Sequence, residues 1–88
     1  MYVFIGYDAP DGQLLRKIHR EAHLKKLNDL AKAGKIALAG PFTDGSGSLI
    51  VYNAATKTEV ELIAKTDPYV MHRIFDRYEI RPFEKILP

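Results

Sequence analysis

Cysteine and tryptophan are both absent from this 88-residue chain. Without cysteine there is no disulfide staple, no thiolate nucleophile and no zinc–thiolate centre, and the composition suits a reducing compartment. An excess of charge of one sign is also lacking: 13 Lys and Arg against 11 Asp and Glu leave a formal net charge of +2. Such a balance lacks the concentrated positive potential that phosphate backbones select, so nucleic acid is not an expected partner. No apolar run approaches the roughly 20 residues of a membrane span, and the stretch from Met1 to Tyr7 has neither a basic n-region nor a small-residue cleavage site. The expectation is a cytoplasmic protein with no membrane contact. Repeats, low-complexity tracts and linker compositions are missing too, so residues 1–88 read as one domain whose chemistry must come from histidine, carboxylates and hydroxyls.

What is present is a clear alternation of strand and helix patterns. Tyr2 to Tyr7 is aromatic and β-branched and is closed by the turn-forming stretch Asp8 to Gly12, so it predicts a strand and a loop. From Gln13 to Ala33 the positions Leu15, Ile18 and Ala22, then Leu27, Leu30 and Ala31, recur at helical spacing, with Gly34 as terminator. Ile36–Pro41 and Ser48–Tyr52 read as a strand hairpin around the turn Thr43-Asp44-Gly45. Thr58 and Glu61 have capping-box spacing, which predicts a second helix over Glu59–Lys65. Asp67 suits a cap and Pro68 the first turn of another short helix, and Tyr78–Phe83 reads as a last strand.

The order strand, helix, strand, strand, helix, strand predicts an α+β ferredoxin-like βαββαβ domain with a four-stranded antiparallel sheet covered by helices on one face. The runs Val3 to Ile5, Ile36 to Ala39 and Leu49 to Tyr52 are apolar at successive positions, where a sheet with one wet face would alternate. Both faces are therefore expected to be covered. Since a small chain has little core of its own and no further helix, the second cover is expected to be the same face of another copy, giving a homodimer.

His23 shares helical spacing with Leu27, Leu30 and Ala31, so its ring is expected to face the sheet. Val60, Ile63 and Ala64 define the buried stripe of the second helix, and Asp67 follows three residues after Ala64. A carboxylate ending one helix and a histidine within its neighbour can meet in this topology. Asp67 would then fix the ring's tautomer and leave the other nitrogen free to take a proton. The blander readings are a hydrogen-bonded structural histidine and a plain helix cap, and the two roles of Asp67 are compatible because a carboxylate has about four acceptor sites. His19 stands one turn before His23, but no third ligand has matching placement, so no metal site is expected. His72 reads as a surface residue, and Lys25, Lys26, Lys32 and Lys35 as the solvated side of the first helix and its end. Ser48 at a strand start and Tyr69 after the proline are each able to bind a ligand or simply to close a turn and pack.

With these residues in place, the chain resembles the YCII-related family, small proteins of the dimeric α/β-barrel superfamily. The resemblance is carried by Ala22-His23-Leu24 with Leu27, Ala39-Gly40-Pro41, Gly47-Ser48, Asp67-Pro68-Tyr69-Val70, and Ile80 with Pro82-Phe83. It implies that His23 and Asp67 form the active-site pair, and that Ser48, with Tyr69, Gly40 and Pro41, belongs to the substrate pocket. The segment between Pro41 and Gly47 is shorter than in longer relatives, so pocket shape and substrate do not follow from the resemblance. Relatives that resemble muconolactone isomerases and dehydrochlorinases move protons on activated carbon acids. The expectation is accordingly a cofactor-independent lyase or isomerase with His23 as base, Asp67 as its orienter, and Ser48 or Tyr69 holding an oxygen. The alternative is a non-catalytic dimeric module in which the same residues anchor a small metabolite.

Overall fold

A computed structural model describes residues 1–88 as β1 (Tyr2–Asp8), α1 (Gly12–Lys32), β2 (Ile36–Pro41), β3 (Gly47–Tyr52), α2 (Lys57–Lys65), α3 (Pro68–Met71) and β4 (Phe75–Pro82). The strands form one sheet in the order β2-β3-β1-β4, and every neighbouring pair is antiparallel. This is the expected α+β ferredoxin-like arrangement, with α3 as an added single turn before β4.

Helix α1 ends where Gly34 takes φ +76, a conformation free of steric cost only without a Cβ. The turn is closed by the Lys35 N–H donating to Leu30 O at 2.9 Å, as in a Schellman motif. Its sheet-facing row runs through Leu15, His23, Leu27 and Leu30. Ile18 and Ala22, expected on that stripe, face outward instead, with Ile18 71% exposed. They belong to the neighbouring row of the same helix, and spacing alone does not separate adjacent rows.

Helix α2 starts two residues before its expected position because the capping box is not Thr58 with Glu61. Thr56 caps it, its hydroxyl accepting from the Glu59 N–H at 3.2 Å, while Glu59 reaches back to the Ala55 N–H at 3.3 Å and binds Lys35 Nζ at 2.8 Å. Thr56 and Glu59 have the same three-residue spacing. The far end is held from α1: Lys26 Nζ donates to the Ile63 carbonyl and, at 2.8 Å, to Thr66 Oγ1. Lys26 is thus a C-terminal clasp rather than part of a solvated face, and Lys35 is an ion-pair partner. Burial lowers the Lys26 ammonium below its ordinary value, and the nearby Asp67 charge opposes that shift.

Strand β4 begins at Phe75, three residues earlier than the expected Tyr78, because Phe75 pairs with Asp8 beyond a bulge at Asp76 and is buried against the core. That core is Phe4, Ile50, Tyr52, Val60, Ala64, Tyr69, Ile74 and Phe75. Fully burying a side chain such as Val60 or Ile74 contributes about 1.5–3 kcal/mol each. On the opposite sheet face, register groups Val3 and Ile5 with Val51 and Leu49, and sets Leu38 beside Val51. Its apolar area covers only three strands. Strand β4 adds Arg81, Glu79 and Arg77 opposite Val3, Ile5 and Tyr7, and β2 is largely exposed, Leu38 by 58%. No helix is long and apolar enough to cross a membrane.

Candidate functional site

His23 and Asp67 meet. The two residues are 5% and 3% exposed, and His23 Nδ1 lies 2.8 Å from Asp67 Oδ1 and 3.0 Å from Oδ2. A carboxylate only accepts, so Nδ1 carries the hydrogen, and in the neutral imidazole Nε2 holds the lone pair. Nε2 has no partner within the protein, no unpartnered side-chain nitrogen is sealed from solvent, and His23 lines a cavity. Asp67 keeps its cap role at the same time: Oδ1 accepts from the Tyr69 N–H at 2.8 Å, with Pro68 in the first turn, where its missing N–H costs nothing.

The ring's plane is set by a column of aromatics. Tyr69 stacks on His23 with centroids 3.7 Å apart and planes 5° off parallel, and Phe75 meets Tyr69 edge-on at 5.6 Å. Phe75 in turn rests on Gly6, where any Cβ would sit 2.6 Å from the ring. Burial raises the Tyr69 phenol above its ordinary value, and Arg16 and Arg20 oppose that shift.

A second polar group adjoins the first. Arg16 Nε and Nη2 donate to the two oxygens of Asp8, both at 2.7 Å, and Nη2 also donates to Ser48 Oγ at 3.0 Å. The guanidinium lies 5.1 Å from the Tyr69 ring centroid. Its charge is held up, first by the Asp8 hydrogen bond, against the lowering effect of burial. Because Ser48 Oγ accepts from Arg16, its own hydrogen is free to donate elsewhere. Sequence reasoning left Asp8 in a turn and did not single out Arg16. The one available signal was that Arg16 precedes His23 by seven residues, two helical turns, and so shares its face.

Arg16, Arg20, His23, Ser48, Tyr69, Gly40 and Pro41 border one cavity of about 160 Å³, together with Leu24, Leu27, Ala39 and Ile50. All the expected pocket residues are therefore neighbours, while Asp67 stands behind His23 and does not reach the cavity. No carboxylate lines it. The His19 ring stacks on His72 at 3.9 Å and 6°, and His72 is exposed, as expected of a surface residue.

Residues 1–84 match the pattern of the YCII-related domain. The chain belongs to the YCII-related family. Curated relatives include the protein YciI of Escherichia coli O6:H1 and that of Shigella flexneri, each 26% identical with 98% of both chains covered. Among solved structures, this YCII-related chain superposes on the 5-chloro-2-hydroxyhydroquinone dehydrochlorinase TftG of Burkholderia phenoliruptrix AC1100, in its complex with 2,5-dihydroxybenzoquinone. The TM-score is 0.84 at 23% identity, covering 94% of this chain and 92% of that one. That likeness establishes the shared fold.

Proposed function

We propose that this YCII-related protein is a cofactor-independent lyase or isomerase acting on a small activated carbon acid. The observation that carries the reading is the two-sided state of His23, whose Nδ1–H is locked on a buried carboxylate while Nε2 is left free at the cavity. In the proposed step Nε2 takes a proton from carbon beside a carbonyl, and the C–H electron pair becomes an enolate. Ser48 O–H donates to the developing oxygen charge, and Tyr69 fixes the imidazole plane. The enolate then collapses by reprotonation at another carbon, which is isomerisation, or by expelling a leaving group from the adjacent carbon, which is elimination. Only a proton and an electron pair within the substrate move, so the step asks for no electron carrier. The dehydrochlorinase of the same fold, with its six-membered ring ligand, supports a substrate of that size and chemistry.

Two further features belong to the same reading. The apolar area formed by Val3, Ile5, Leu38, Leu49 and Val51 has no helix over it, which supports a second copy of the chain as its cover. The lack of cysteine supports a cytoplasmic location. The deciding experiment is turnover of a panel of lactones, hydroxyquinols and chlorinated enols by the wild type and His23→Ala. A general base contributes roughly 10²–10⁴-fold, so the variant should lose that much. If no substrate is turned over by the wild type in a His23-dependent way, while cavity ligands still bind, the protein is a binding module and the proposal fails. Light scattering that finds a monomer at micromolar concentration would remove the dimer.

A further inference from the structure

The charges around the cavity do not cancel. Arg16 is neutralised by Asp8 in a two-pronged pair, and Lys26 is the cation that feels the charge of Asp67 behind His23. Arg20 is left over. The ion pairs of the protein are Arg16–Asp8, Lys25–Asp29 and Lys35–Glu59, and Arg20 is in none of them. It donates no side-chain hydrogen bond and lies one turn beyond Arg16 on the row that forms the cavity wall, where no acidic residue faces it. Its charge reaches the site, since it acts with Arg16 against the upward shift that burial gives the Tyr69 phenol.

The available space limits the partner of that charge. A cavity of about 160 Å³ compares with the roughly 150 Å³ that admits one benzene molecule. A guanidinium offers a planar fork of donors that matches a carboxylate in a bidentate manner. The geometry points to a single-ring monocarboxylate as the ligand class of this cavity, with Arg20 as the residue that selects for the negative charge. The ring lies between Leu24 and Leu27 on one side and Ala39 to Pro41 on the other, within reach of Ser48 and His23 Nε2. This deepens the reading of the cavity as the ligand site, but it does not need turnover to be true.

Benzoate and benzamide have the same shape and differ in charge, which makes them the probes. Binding is followed by NMR shifts of His23, Ser48 and Tyr69 in the wild type, Arg20→Gln and Arg20→Lys. The wild type should bind benzoate about tenfold or more tightly than benzamide, as a charge-assisted hydrogen bond implies, and added salt should narrow the gap. Arg20→Gln should bring the ratio to about one, while Arg20→Lys should keep part of it. Equal affinity for the two probes in the wild type, an undiminished preference in Arg20→Gln, or no shift with either probe would overturn the assignment. Because Arg20 is exposed, an unchanged denaturation midpoint is expected for both variants, and it confirms that binding rather than folding is being read. Charge selectivity without turnover would count against the catalytic reading alone.

Discussion

Replacing Asp67 by alanine removes two interactions with one side chain, and their sum follows from the structure. The cap on the Tyr69 N–H at 2.8 Å is worth about 1 kcal/mol. The His23 Nδ1–H, buried and paired only with this carboxylate, is left unsatisfied at about 1–3 kcal/mol. Together these cost about 2–4 kcal/mol, a fall in melting temperature of roughly 10–25 °C for a chain of this length. Asparagine separates the two roles. Its oxygen can stand where Oδ1 caps Tyr69, so stability should stay within about 1 kcal/mol of wild type. Its amide NH₂, however, replaces Oδ2 3.0 Å from Nδ1, setting a donor against a donor. The conflict is relieved when the ring hydrogen moves to Nε2. Thermal denaturation gives the energies, and long-range nitrogen–proton NMR correlations of His23 give the tautomer. The wild type should carry its hydrogen on Nδ1 and Asp67→Asn on Nε2. An Asp67→Ala variant within 0.5 kcal/mol of wild type, taken as roughly the scale of an unremarkable surface change, would refute the energetic argument. An unchanged Nδ1–H signature in Asp67→Asn would refute the claim that the carboxylate sets the tautomer.

Other consequences can be checked on the same instruments. Thr56→Ala should cost about 1 kcal/mol in urea denaturation while Thr58→Ala is close to neutral, because only Thr56 caps α2. Gly6→Ala should displace the Phe75 ring, whose atoms would lie 2.6 Å from the new Cβ, and should disturb the His23 and Tyr69 ring signals as well as lower stability by about 1–3 kcal/mol. The Glu59 carboxyl is held below its ordinary value, chiefly by the hydrogen bond from Lys35. A depressed carboxyl stabilises above its unfolded value and loses that contribution as pH falls through its folded one. The denaturation midpoint of the wild type should therefore fall on acidification below about pH 4.5 more steeply than that of Glu59→Gln.

How much of this could be read from residues alone varies with the range of the interaction. Strand β2 and the Asp67-Pro68 start of α3 were legible because a bounded apolar run and a cap before proline are local signals. The α2 cap lies two residues before the expected one because Thr56 and Thr58 each precede a glutamate by three, and only the contact of α2 with Lys35 chooses between them. Strand β4 starts before its expected first residue because its first pairing, Phe75 with Asp8, spans most of the chain.

By itself, the sequence determined the order of strands and helices, the sheet-facing position of His23 and the cap position of Asp67, since periodicity and capping depend on neighbours within a turn. The tertiary structure alone decided the 2.8 Å contact between those two residues, which are 44 positions apart. It also decided that Ser48 accepts from Arg16, which Asp8 holds, and that Arg20 is left without a counter-charge beside the cavity. These are questions of distance and charge balance between separate elements, and such quantities exist only once the sheet and helices are assembled.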